Sequence, residues 1–116
     1  MSKVTIYHNP HCSKSRQTLA LLEDRGIKPQ VIEYLKTPLD ATTIAGLLEN
    51  LGLRAICLVR RKECLFTDLG LAALEDDDTA LIATMASNPI LIERPIVVAG
   101  DKARIGRPPP NVLDIL

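Results

Sequence analysis

The strongest constraint on this chain is a stretch of nine residues, His8-Asn9-Pro10-His11-Cys12-Ser13-Lys14-Ser15-Arg16, set between two runs of different periodicity. Before it, Val4-Thr5-Ile6-Tyr7 is short and rich in β-branched residues, which predicts a strand. After it, the apolar-periodic run from Thr18 to Leu22 predicts a helix. The thiol of Cys12 therefore falls at a helix N-terminus. Unpaired backbone N–H groups and the positive end of the helix dipole stabilise a negative sulfur there. Arg16, one turn into the helix, adds a cation on about the same face, and His8 joins it if the loop bends back. A thiolate among cations and open N–H groups is both a nucleophile and the floor of an oxyanion pocket. Cysteines that serve only as small core hydrophobes sit inside apolar runs, whereas Cys12 sits among Pro, His, Ser, Lys and Arg.

The helix ends at Arg25-Gly26, a cation followed by a residue that adopts the left-handed cap conformation. Gln30-Val31-Ile32-Glu33-Tyr34-Leu35 then reads as a second strand. Strand, helix and strand in this order form a βαβ unit with parallel neighbours, and the strand-end loops gather on the side of Cys12. The loop chemistry narrows further. Ser15 stands where a dithiol redox motif carries its second cysteine, so Cys12-Ser13-Lys14-Ser15 resembles a monothiol version of the thioredoxin and glutaredoxin loop. Arg16 comes two residues too early for the Cys-x5-Arg loop of small tyrosine phosphatases.

With 116 residues the chain makes one compact domain, and neither its 47% hydrophobic nor its 24% charged content suggests disorder. The formal net charge is zero, so no global field points to nucleic acid or an anionic membrane. A single Phe, two Tyr and no Trp leave little to stack on nucleobases. The N-terminus lacks the pattern of a leader and no apolar run approaches membrane-spanning length, which points to a cytoplasmic protein. Three cysteines without framework or zinc-site spacing are expected to be reduced thiols.

Residues from about 37 to 88 read as a helical insertion. Asp40 caps a helix carrying Ile44, Leu47, Leu48 and Leu51, and Gly52 closes it. A further helical run spans Leu53 to Arg61, with Cys57 expected in the core and Arg61 lying about 100° round from Arg60. Asp68-Leu69-Gly70 marks its exit. Asp76-Asp77-Asp78 is expected to cap a helix through Leu81, Ile82 and Met85 rather than to bind metal, and Asn88-Pro89 ends that helix. Sheet returns as Pro95-Ile96-Val97-Val98 and Ala103-Arg104-Ile105, joined through Gly100-Asp101. After Arg107 and Pro108-Pro109-Pro110, a short apolar helix carries Val112, Leu113, Ile115 and Leu116. Arg94 and Arg107 bracket the hairpin and Arg60 ends an inserted helix, and forked guanidinium donors suit a tetrahedral oxyanion.

Taken together, the His8-to-Arg16 stretch, Tyr34-Leu35-Lys36-Thr37-Pro38, the run from Asn88 to Val98 and Ala103-Arg104-Ile105-Gly106-Arg107-Pro108 resemble the glutaredoxin-coupled arsenate reductase family, the ArsC-like proteins. The resemblance covers essentially the whole chain. It implies an α/β, thioredoxin-like fold over residues 1–116 with a helical insertion between the βαβ unit and the C-terminal hairpin plus helix. It also implies Cys12 as nucleophile, His8, Ser15 and Arg16 as tuners of the thiol, and Arg60, Arg94 and Arg107 as oxyanion ligands. Pro95 would follow a cis peptide bond, as does the proline facing the active thiol in such folds. Arsenate would be the substrate, with glutathione as co-substrate and glutaredoxin as partner, and with no metal or organic cofactor. The alternatives within the fold are a glutathione-dependent thiol reductase and a redox-sensing regulator of another protein.

Overall fold

The structure, a computed structural model, describes residues 3–116; Met1 and Ser2, with which the expected domain begins, lie outside the described residues. Its main elements are β1 (Val4–Tyr7), α1 (Ser13–Asp24), β2 (Gln30–Ile32), α2 (Ala41–Leu51), α3 (Ala55–Leu58), α4 (Cys64–Asp68), α5 (Asp78–Ser87), β3 (Ile96–Ala99) and β4 (Lys102–Ile105). The C-terminal helix is of the tighter 3₁₀ type, over Pro109–Ile115. The chain divides into two compact units. One runs to Thr37 and resumes at Arg94–Leu116, and the other is Pro38–Glu93.

The first unit holds a four-stranded sheet in the order β2-β1-β3-β4. β1 lies parallel to β2 and antiparallel to β3, and β3 and β4 form a hairpin turning at Gly100, whose φ is 65°. The parallel pair follows from the α1 crossover. Helix α1 stops through Gly26 at φ 74°, where the Gly26 N–H reaches the Glu23 carbonyl and the Ile27 N–H reaches that of Leu22. Ile6, Leu22, Val97 and Val112 are wholly buried together, with Val4, Leu19, Leu21, Ile27 and Ile115 packed against them. Each such side chain contributes about 1.5–3 kcal/mol, so the sheet, α1 and the C-terminal helix are clamped around β1. That holds the loop after β1 in place.

Strand β2 is shorter than its sequence suggests. The partner strand β1 ends at Tyr7, and the last ladder contact runs from the His8 N–H to the Ile32 carbonyl. Beyond this point the Glu33 carbonyl accepts from the Lys36 and Thr37 N–H groups, so the apolar residues Tyr34 and Leu35 enter a turn.

In the second unit, Asp40 caps α2 through the Thr43 N–H, Gly52 ends it in the left-handed conformation, and Asp77 caps α5 through the Ala80 N–H. Asp78 pairs with Arg54 at 3.0 Å, and the Arg54 guanidinium holds its carboxyl below the usual range. The triple-Asp segment is thus a helix start and an ion pair. Ile44, Leu47 and Leu48 from α2, with Leu81 and Met85 from α5, are buried.

Three expectations for this unit are corrected. The helix expected over Leu53 to Arg61 is only Ala55–Leu58, because Val59 leaves it in extended conformation to bridge Ile92. The Arg60 N–H then reaches the Leu91 carbonyl at 2.7 Å. Arg60 therefore ends no helix, and the 100° phase between it and Arg61 does not apply. Cys57 is exposed, because the short helix buries Ala55 and Leu58 and turns Cys57 outward. Finally, the insertion continues past residue 88, since Pro89–Leu91 forms a 3₁₀ turn and Ile92 is held in the bridge.

Candidate active site

Cys12 occupies the N-cap of α1, with extended φ and ψ of −98° and 124°. Its N–H donates to the Asn9 carbonyl and its carbonyl accepts from the Arg16 N–H, both at 3.0 Å. The residue is 8% exposed, so its sulfur meets the helix N-terminus in a largely desolvated setting. Electrostatic interactions are stronger there than in water.

The loop is held by a wholly buried hydroxyl. Ser15 Oγ lies 2.7 Å from His8 Nδ1 and accepts from the Asn9 N–H at 3.0 Å. Asn9 Oδ1 accepts from the His11 N–H at 3.0 Å. Asn9, which sequence reasoning passed over, thus ties the turn together with its amide, its carbonyl and its side chain. The Asn-Pro pair at 9–10, a common turn former, was the available signal.

Two of the proposed thiol tuners take other postures. Burial pushes the His8 imidazole below its ordinary range; nearby Glu33 opposes the shift and Arg16 adds to it. Hydrogen-bonded to Ser15 Oγ, the buried ring anchors the loop. Arg16 is exposed and donates from Nη1 to the Pro10 carbonyl at 2.8 Å, bracing the loop from outside.

Arg107 brings a cation to the sulfur. Its Nη2 lies 3.7 Å from Cys12 Sγ, across 95 residues of sequence, and its Nε donates to the Arg94 carbonyl at 2.8 Å. The Arg94–Pro95 bond is cis, and so is Arg107–Pro108, which sequence reasoning did not single out. The Gly106 N–H donates to the Pro95 carbonyl at 2.9 Å. A Cβ on Gly106 would meet Thr18 Oγ1 at 2.5 Å and Pro95 Cγ at 2.8 Å, so β4 and α1 close on the cis-proline only because this residue has no side chain. Arg94, Pro95, Arg107 and Cys12 are thereby brought together in the first unit.

Arg60 belongs to the second unit, where its Nη1 donates to Glu63 and its Nε lies 3.8 Å from a Glu93 oxygen. Cys57 and Cys64, also in that unit, are both exposed.

A sheet of this order, with a cysteine capping its first helix and a cis-proline opening its third strand, defines a protein of the thioredoxin-like class. Comparison with known proteins carries this to a family. Residues 7–115 match the model of the ArsC family. The YfgD protein of Escherichia coli K12, itself uncharacterised, is 54% identical over 115 residues, covering 98% of this chain and 97% of its own length. An arsenate reductase of Haemophilus influenzae is 46% identical, covering 97% of this chain and 98% of its own. The structure of an arsenate reductase from Vibrio cholerae matches with a TM-score of 0.96 at 52% identity, over 99% of this chain and 98% of that one. The chain belongs to the ArsC family.

Proposed function

We propose that this protein reduces arsenate to arsenite, with Cys12 as nucleophile and glutathione and glutaredoxin as the source of electrons. The observation that carries the reading is the Arg107 guanidinium 3.7 Å from a cysteine sulfur at a helix N-terminus. This is a thiol and an oxyanion ligand side by side. The relatives named for arsenate reduction supply the substrate.

In the first step the Cys12 thiolate attacks arsenic and one arsenate oxygen leaves as water, giving a sulfur–arsenic bond. Arg107 and Arg94 stabilise the charge on the remaining oxygens, and Arg60 is the third proposed ligand. The glutathione thiol then displaces a second oxygen as water. Attack of the glutaredoxin thiolate on the glutathione sulfur passes two electrons to arsenic and forms a mixed disulfide, which further thiol exchange clears. Hydrolysis of the Cys12 sulfur–arsenic(III) bond releases arsenite. Ser15, His8 and Asn9 hold the loop throughout, and the Pro95 segment presents the Arg94 carbonyl that aims Arg107.

The test is arsenite release by the purified protein with glutathione and glutaredoxin. Cys12→Ser is expected to abolish it while retaining the far-UV spectrum and unfolding midpoint, because a serine hydroxyl stays protonated and is a far weaker nucleophile. Arsenite production by that variant would overturn the mechanism.

A further inference from the structure

Arg107 is followed by Pro108, Pro109 and Pro110, and a proline has no backbone N–H. The first main-chain donor after Arg107 therefore belongs to Asn111. Its backbone N–H donates to the Pro108 carbonyl at 3.0 Å, and its side-chain Nδ2 donates to the Arg107 carbonyl at 3.1 Å. A carbonyl only accepts, so the amide nitrogen must be the atom that faces it. Asn111 is itself tied down, because the next residue, Val112, is wholly buried with Ile6, Leu22 and Val97. On the other side of Arg107, the Gly106 N–H donates to the Pro95 carbonyl at 2.9 Å. The backbone around Arg107 is thus held both toward β3 and toward the C-terminal helix, while the Arg94 carbonyl directs its Nε. All of these residues lie in the same compact unit as Cys12.

We propose that Asn111 is a positioning residue for Arg107: its amide anchors the backbone from which the guanidinium extends, and so fixes the donors beside Cys12 Sγ. The proposal rests on the reading of Arg107 as an oxyanion ligand. Asn111 acts through the arginine and not on the anion. A long side chain loses rotamer freedom when it binds, and each backbone rotation already frozen leaves less to be ordered at that moment. Without the amide, the Arg107 carbonyl turns to water and the proline segment gains rotation about Arg107. The forked donors then spend less time aimed at the oxyanion.

Calorimetric titration of arsenate into the full-length Cys12→Ser protein measures binding without the covalent step. In that background Asn111→Leu keeps the approximate volume, adds no charge and removes the donor. It is expected to weaken the arsenate Kd about threefold or more, the worth of one hydrogen bond. Asn111 is exposed, so the variant should fold. When Arg107→Ala is already present, adding Asn111→Leu should leave Kd unchanged, because the effect passes through the arginine. In the active protein, Asn111→Leu should raise the KM for arsenate by a similar factor and leave the KM for glutathione unchanged. If Arg107→Ala weakens binding but Asn111→Leu does not, whatever its unfolding midpoint, Asn111 is a structural residue of the C-terminal helix and the proposal fails while the reading of Arg107 stands. An equal loss of affinity with and without Arg107 would overturn it as well. If Arg107→Ala leaves Kd unchanged, Arg107 is not an oxyanion ligand and both fail.

Discussion

At the scale of single residues, reactivity here depends on which cation is carried to the thiol. Arg16, one helical turn from Cys12, reaches a loop carbonyl, while Arg107 spans the unit to reach Sγ. Arg107→Ala and Arg94→Ala are expected to lower kcat/KM by an amount corresponding to about 2–4 kcal/mol each. Arg104→Ala is the control, because alternation along β4 leaves Arg104 exposed beside buried Ala103. Equal sensitivity of all three variants would reduce the effect to surface charge. His8 gives a second prediction, in stability. Its folded imidazole titrates below its unfolded value, so below about pH 6.5 the unfolded state binds more protons and stability falls as pH drops toward the folded value. Urea unfolding at pH 5.5 and 7.5 should show this loss in the wild type and less of it in His8→Gln. An identical pH dependence in both would remove His8 as its source.

Among elements, the decisive contact is the close approach of β4 to α1 and the third strand. Thr18 is wholly buried on α1, where its hydroxyl donates back to the Lys14 carbonyl, so the side chain has little room to yield. Gly106→Ala places a methyl against Thr18 Oγ1 and the Pro95 ring. The expected loss is about 1–3 kcal/mol of stability, as for overpacked cores. Because Gly106 joins Pro95 to Arg107, activity should fall as well. A change in unfolding free energy below about 0.5 kcal/mol would show that Thr18 turns aside without penalty.

For the whole molecule, the three thiols allow two catalytic routes to be told apart by experiment. A relay through an internal disulfide needs a second cysteine able to bring its Cα within about 7 Å of that of Cys12. Cys57 and Cys64 are exposed on the second compact unit, with Cys12 in the first. The double variant Cys57→Ala/Cys64→Ala is expected to keep full activity with glutathione and glutaredoxin, because the proposed glutathione route uses no second protein thiol. Stalling of that variant with Cys12 trapped as an adduct would identify a resolving cysteine and remove the glutathione step. Exposure of Cys57 also means that its loss should leave stability within about 0.5 kcal/mol, the usual range for surface positions.

Features governed by near neighbours were legible in the sequence. β-branched residues made β1, and helical spacing made α1. Asp40 and Asp77 started helices whose first-turn amides they satisfy, and Gly26 and Gly52 stopped helices by entering the left-handed region. Cys12 at an N-cap belongs to the same set, because strand, loop and helix are contiguous. Other features depended on what the folded chain sets opposite a residue. β2 ended where its partner β1 ran out, and α3 ended where Ile92 offered Val59 a bridge. Cys57 turned outward because the core took Ala55 and Leu58 instead. The Glu93 carboxylate beside Arg60, and the guanidinium brought 95 positions along the chain to Cys12, have no local signature. A charged side chain is mobile and reads the same on any exposed turn, so only tertiary packing decides which partner it meets.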